Sequence, residues 1–145
     1  MKRTIIFLWL PLLLLAFLTS CNDSGTVSVS VSGGSKITAP KNTPVTANVP
    51  NSYSFVVSAS SYSYNETNAV QMNADTLSIG ITVTSFEKGS GSFVIKDSSD
   101  TIIYQKDFNG SAVIAEVMPV TKIPKSVILN LSNFTGDVVI GLAGK

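Results

Sequence analysis

The chain of 145 residues contains no histidine and a single cysteine, and its 10 basic residues nearly balance its 9 acidic ones. This inventory excludes Ser-His-Asp triads, Cys-His nucleophiles, zinc sites of the His/Cys type, haem and iron–sulfur sites, and any disulfide within the chain. A near-neutral charge offers no basic patch for displacing counterions, so nucleic acid is not an expected partner. The length suits one domain.

The first 20 residues have the three parts of a secretory signal peptide. Lys2 and Arg3 supply the positive charge, an apolar run extends from Ile5 to Leu18, and small residues follow it. As a helix this run would span about 21 Å, short of the ~30 Å hydrocarbon core, and Pro11 interrupts it. We therefore predict that residues 1–20 are a cleaved leader rather than a permanent transmembrane helix.

The segment Leu18-Thr19-Ser20-Cys21 ends this run and contains the only cysteine. It resembles the bacterial lipobox, in which an aliphatic residue and two small residues precede a cysteine; the alternative is a chance cysteine beside an ordinary cleavage site. The resemblance covers only the leader, and it implies cleavage before Cys21 and diacylglycerol on the Cys21 sulfur. Two or three acyl chains, at ~0.8 kcal/mol per buried CH₂, anchor a protein stably.

The expected location is therefore extracytoplasmic and membrane-anchored. Asn22 follows the cysteine, whereas retention at the inner membrane of two-membrane cells is linked to Asp at that place. This difference favours the outer membrane or the cell surface.

Residues 21–43 are rich in Ser, Gly and Thr and poor in bulky side chains, which predicts a tether between the anchor and the domain. Within it, Val27, Val29 and Val31 alternate with serines. A minor alternative is therefore that residues 26–31 form an edge strand. The folded domain is predicted over residues 44–145.

Short runs of period two, bounded by turn residues, follow one another along the domain, and no segment has a sustained 3.6-residue period. We predict an all-β fold, a small antiparallel β-sandwich of seven or eight strands, with a β-barrel as the alternative. Asn109-Gly110 predicts a type I′ hairpin, and Gly89-Ser90-Gly91 a hairpin turn. The predicted strands are Val45 to Val49, Tyr53 to Ser58, Thr76 to Thr84, Phe93 to Ile95, Thr101 to Lys106, Ala112 to Met118, Ser126 to Ser132 and Asp137 to Leu142.

Two tyrosines close to a run of amides form the candidate ligand site. If the strand from Tyr53 continues without a bulge, the rings of Tyr62 and Tyr64 are exposed, where they could stack on sugar rings or contact a protein. A bulge after Ser60 would instead reset the phase and bury both rings. The candidate ligand-binding residues are Tyr62, Tyr64, Asn65, Asn68, Gln71 and Asn73.

Oxygen ligands for Ca²⁺ are conceivable, but Asp and Asn are also the residues that turns favour, and we predict neither a metal nor a cofactor. The acidic and amide residues in question are Asp97, Asp100, Asp107 and Asn109.

The pairs Glu87 with Glu116 and Lys125 with Ser126 could support hydrolysis, yet each residue lies in an ordinary place for a solvated side chain. The chain is therefore not expected to be an enzyme.

The sequence thus predicts a lipoprotein of the cell envelope or surface that reaches the membrane through diacylglycerol on Cys21. Its domain is expected to act as a non-catalytic binding module for an envelope protein or a glycan. The alternatives are a purely structural envelope component and, third, a Ser/Lys or carboxylate hydrolase.

Overall fold

The computed structural model describes residues 40–145, and these residues form strands and no helix. The strands are β1 (Val45–Val49), β2 (Ser52–Ala69), β3 (Thr76–Lys96), β4 (Ile102–Phe108), β5 (Ala112–Pro119) and β6 (Ser126–Gly144). All of their pairings are antiparallel, which confirms the all-β, antiparallel prediction. Residues 40–145 include no helix that is long and apolar enough to span a membrane. The leader, Cys21 and residues 21–39 of the predicted tether lie outside the described residues.

One sheet contains every strand, in the order β1-β2-β6-β3-β4, with β5 also paired to β3. Residues 76–83 of β3 pair with β5, while residues 91–96 pair with β4. Strands β4 and β5 therefore lie one after the other along the same side of β3. The sheet is open, so the barrel alternative is wrong.

Strands β2, β3 and β6 are 18, 21 and 19 residues long, against a usual length of about 5–6. The pairing register shifts midway along them, between Ala59 and Tyr64 in β2 and between Thr84 and Ser90 in β3. Register shifts of this kind are β-bulges, which bend a strand without ending its pairing. Residues of positive φ cluster at these bends; they are Ser61, Ser85, Gly89, Asn133 and Gly136.

The bends fold the sheet over on itself. Asn68 Nδ2 donates to the Tyr53 hydroxyl at 3.4 Å, although a straight strand would place residues 15 apart about 50 Å from each other. The rings of Tyr53 and Phe93, from opposite halves of β2 and β3, lie 6.5 Å apart. The result is a sandwich of two layers, as predicted.

We call the two halves layer A and layer B. Layer A contains β1, β5, and residues 52–59, 76–84 and 136–144. Layer B contains β4 and residues 62–69, 90–96 and 126–132. The buried side chains between the layers are apolar, and they include Tyr53, Phe55, Val57, Leu77, Ile79, Ile81, Val83, Phe93, Ile95, Phe108, Val127, Leu129, Leu131, Phe134, Val138, Ile140 and Leu142.

The structure corrects the predicted number of strands, which is six within residues 40–145 rather than seven or eight. Thr76 to Thr84 and Phe93 to Ile95 are two halves of β3, and Ser126 to Ser132 and Asp137 to Leu142 are two halves of β6. The turn-like residues between the halves mark bends, because pairing continues through a bulge.

Two predicted turns are also wrong. Asn109-Gly110 does not close a hairpin, because β4 and β5 each pair with β3, and neither residue is among the described positions of positive φ. Gly89-Ser90-Gly91 lies inside β3 at its bend. Both corrections have one cause. Strand β3 is long enough for β4 and β5 to pair with it one after the other.

Candidate functional site

The register shift after Ala59 decides where the two candidate tyrosines point. Tyr62 and Tyr64 are half-buried and pack against the core, with ring centroids 5.8 Å apart, and Tyr64 lies 5.5 Å from the buried ring of Phe55. The bulge interpretation is therefore correct, and the two rings do not form an exposed platform for stacking.

The six predicted ligand-binding residues do not converge on one surface. Tyr62, Tyr64 and Asn68 share the inner side of β2, whereas Asn65 points to the opposite side. Gln71 and Asn73 lie in the connection from β2 to β3 and are exposed. The backbone N–H of Asn73 donates to the side chain of Asn51 at 2.7 Å.

The inner polar groups of β2 bond to one another. The Tyr64 hydroxyl donates to the Glu66 carboxylate, and Asn68 donates to the hydroxyl of Tyr53. Burial raises the pKa of Tyr53, the Asn68 hydrogen bond acts against this shift, and the charge of Glu66 adds to it. These contacts satisfy polar groups inside the sandwich, which is a structural role.

Asn65 belongs to a row of polar side chains on the outer surface of layer B. It pairs in register with Asn130, which pairs with Ser92, which in turn pairs with Asp107. Strand spacing of about 4.8 Å makes this row, here called the polar row, roughly 15 Å long. Asn130 Nδ2 donates to Ser92 Oγ at 3.5 Å, and Gln105 Nε2 donates to Asp107 Oδ1 at 3.4 Å. These few long bonds leave donors and acceptors of the row free for other partners.

A second pair of hydroxyls borders the polar row. Ser132 pairs with Ser90 two positions along the strands, and together with Ser92, Asp107 and Asn130 of the polar row they line an open depression of about 390 Å³. Gly91 and Phe108 also line it, and a Cβ on Gly91 would collide with ring atoms of Phe108 at 2.1 Å. Glycine at this position therefore lets the aromatic ring lie directly beneath the surface. We call the polar row with Ser90 and Ser132 the polar face.

Sequence reasoning placed Asn65 in the ligand site and Asp107 only among possible calcium ligands, and it missed Ser92 and Asn130. Ser92 and Asn130 each lie between two buried apolar residues, and Asp107 precedes the buried Phe108, so the pattern indicates that they point outward. What the pattern lacks is the register that brings four strands together, and only the cross-strand partners fix that.

Among the residues considered for calcium, Asp97 serves the turn between β3 and β4, whereas Asp107 lies in β4 and belongs to the polar row. Asp97 Oδ1 accepts hydrogen bonds from the backbone N–H of Ser99 at 2.8 Å and of Thr101 at 2.9 Å. Lys122 Nζ lies 3.4 Å from its other oxygen. The bond from Thr101 is the main cause that lowers the pKa of Asp97. Across residues 40–145, three or more His, Cys, Asp or Glu side chains nowhere gather closely enough to hold a metal.

The two candidate carboxylates lie apart. Glu116 pairs in register with Ile79 near the start of β3, while Glu87 is exposed in the β3 bend. The bend begins five positions after Ile79, which at about 3.3 Å per residue is roughly 17 Å along the strand. This separation exceeds the roughly 5–9.5 Å between the paired carboxyl groups of glycosidases. Glu116 lies 3.8 Å from Lys106 and adds to the rise that burial causes in the pKa of Tyr104.

The second candidate pair lies at the start of β6. Lys125 and Ser126 are adjacent, the backbone N–H of Lys125 donates to the Lys96 carbonyl at 2.8 Å, and Ser126 is the first residue of the strand. Successive residues of a strand point to opposite sides, so the geometry does not direct this lysine at this hydroxyl.

No protein-family profile matches the chain, and no curated protein matches it in sequence. Its fold is similar to that of a Bacillus endospore appendage protein, described as one of a family of disulfide-linked pili, with a TM-score of 0.44, 11% identity, and coverage of 79% of this chain and 98% of that chain. It is also similar to the enzymatically active domain of tailspike protein 4 of bacteriophage CBA120, with a TM-score of 0.37, 16% identity, and coverage of 71% of this chain and 18% of that chain. At these scores neither likeness indicates a shared function.

Proposed function

We propose that this protein is a surface or envelope lipoprotein, anchored through diacylglycerol on Cys21, whose polar face binds a glycan without catalysis. The lipobox-like leader supports the anchor. The polar row supports the ligand class, and it is the observation on which the binding proposal depends.

The chemistry of the polar face suits a ligand rich in hydroxyl groups. Each Asn amide both donates and accepts, each Ser hydroxyl does the same, and Asp107 accepts. A sugar presents alternating donors and acceptors at a spacing that a row of such side chains can match. The row lies on four paired strands rather than on loops. Little conformational entropy is therefore lost when a ligand binds. Shallow polar contact of this kind predicts weak affinity for one sugar and stronger retention on a polymer.

The test is binding of the purified lipoprotein, in detergent, to an array of bacterial envelope glycans. Asn130→Ala removes the central amide of the row, and we expect it to lower binding by about tenfold, as loss of one or two neutral hydrogen bonds does. The matched control is Gln71→Ala, because Gln71 is an exposed amide of β2's following connection, away from the polar face.

The two variants separate the possible outcomes. Loss of binding in Asn130→Ala with retention in Gln71→Ala supports the polar face. Equal loss in both, or an array on which the wild type binds nothing, contradicts the proposal and favours the structural alternative.

A further inference from the structure

Strand β5 is an unprotected edge. Within residues 40–145 it pairs with β3 alone, so its other side presents unpaired backbone groups. Its outward side chains Val113 and Val117 are 80% and 73% exposed, more than any other large hydrophobic residue of the described region. An edge of this kind is a template for pairing with another strand.

The other edges carry the features that block such pairing. Strand β1 is five residues long and is enclosed by Pro44 and Pro50, and β4 carries Lys106 and Asp107. The last residue of β2, Ala69, has its carbonyl covered by the side chain of Asn48 at 2.7 Å. Lysine, proline and covered backbone are the usual means of protecting an edge. Strand β5 has one charge, no lysine, and a proline only at its final residue.

The sequence of β5 is self-complementary in a register centred on Ala115. Two residues that lie opposite each other in an antiparallel pair point to the same side of the sheet. A two-fold axis perpendicular to the sheet relates the two β5 strands and keeps each side chain on its side. In such a pair, one residue of β5 must therefore lie opposite the same residue of the second copy. Centring on Glu116 would oppose two carboxylates, which is unfavourable. Centring on Ala115 pairs Val113 with Val117 of the second copy, twice, and places Glu116 opposite Ile114.

We propose that β5 pairs antiparallel with β5 of a second copy of this chain, centred on Ala115, to form a two-fold dimer. Pairing brings the four exposed valines of the two copies together and satisfies the free backbone groups. Each Glu116 keeps Lys106 of its own chain at 3.8 Å, so the pairing leaves no unpaired carboxylate at the junction. Layer A becomes one sheet of ten strands across the two copies.

Cysteine cross-linking in membranes tests the register. The full-length chain is expressed with Ala115→Cys, and the membranes are treated with a mild oxidant. Opposed Cα atoms in an antiparallel pair lie about 4.5–5.5 Å apart, within the reach of a disulfide. We expect a covalent dimer on a non-reducing gel. Val113→Cys is the matched control, since its two copies would lie roughly 13 Å apart in this register.

The wild-type chain, treated in parallel, shows whether Cys21 itself cross-links. A dimer band from Ala115→Cys without one from Val113→Cys supports the proposal. No band from Ala115→Cys, or equal bands from both variants, overturns it. A band from the wild type contradicts the lipid anchor instead, because it requires a free thiol at Cys21.

A second measurement does not depend on disulfide geometry. The double variant Val113→Lys, Val117→Lys places lysines opposite one another and should sediment in detergent as a monomer at concentrations where the wild type is a dimer. Val45→Lys, on the far edge of the sheet and 47% exposed, should stay dimeric. A monomeric wild type, or a lysine pair that leaves the dimer intact, overturns the proposal. Circular dichroism confirms that each variant is folded.

Discussion

Gly89 occupies the place where the bends of β3 and β6 meet. Its φ is 94°, and a Cβ there would lie 2.5 Å from the carbonyl oxygen of Asn133 and 2.6 Å from that of Ser132. These are backbone atoms, so a side chain cannot be accommodated by a change of rotamer. A side chain at position 89 would therefore disturb the bend of β3.

Gly89→Ala should consequently destabilise the protein by about 2 kcal/mol or more, from the left-handed backbone and the steric overlap together. Urea unfolding followed by circular dichroism measures the change. The control is Gly110→Ala, since nothing lies within 4 Å of a Cβ built there and its φ is not positive. That variant should change the free energy of unfolding by less than about 0.5 kcal/mol. Similar free energies of unfolding for the two variants would contradict this steric role of Gly89.

The turn from β3 to β4 depends on the charge of one side chain. Asp97 accepts two backbone hydrogen bonds and contacts Lys122, and these contacts lower its pKa in the folded state. Such a group stabilises the fold above its unfolded pKa, and the contribution disappears as the pH falls through the folded pKa.

Asp97→Asn keeps the shape of the side chain and removes its charge. We expect this variant to be less stable than the wild type at pH 7, and the difference to narrow below about pH 4, where the unfolded carboxyl begins to bind a proton. Denaturation at a series of pH values measures it. Ser98→Ala, in the same turn, should differ from the wild type by an amount that does not vary with pH. A wild-type advantage over Asp97→Asn that stays constant between pH 7 and pH 2 would contradict this account.

Local patterning placed part of every strand, but it missed the second half of β2, residues 60–69, and it could not show how the strands connect. In Leu77, Ile79, Ile81 and Val83 the alternation predicted a buried side, and all four are buried. Alternation says nothing about whether a strand continues past a bend, because the residues at a bulge resemble those of a turn. For this reason the halves of β3 and β6 were counted as separate strands.

The candidate site was harder to predict for a related physical reason. The bulge around Ser61, where φ is 49°, turned Tyr62 and Tyr64 from the surface toward the core, where both are half-buried. The polar face combines side chains from four strands that are distant in the sequence, so its existence depends on register rather than on composition.

At the scale of the whole molecule, the lipid anchor is the function prediction that can be tested most directly. Growth with a fatty-acid probe should label the wild type, whereas Cys21→Ser should carry no label because it lacks the acceptor sulfur. The control is Ser20→Ala, which keeps a small residue before the cysteine and should still be labelled. Equal labelling of the wild type and Cys21→Ser would contradict the anchor.

Strand β6 follows every other strand in the chain, yet it lies between β2 and β3 at the centre of the sheet. While a ribosome is still making residues 126–144, β2 and β3 have no central partner and the two layers cannot close. Topologies dominated by such distant pairings fold on the order of milliseconds to seconds. In this order of synthesis, closure of the core waits for the last strand of the described region.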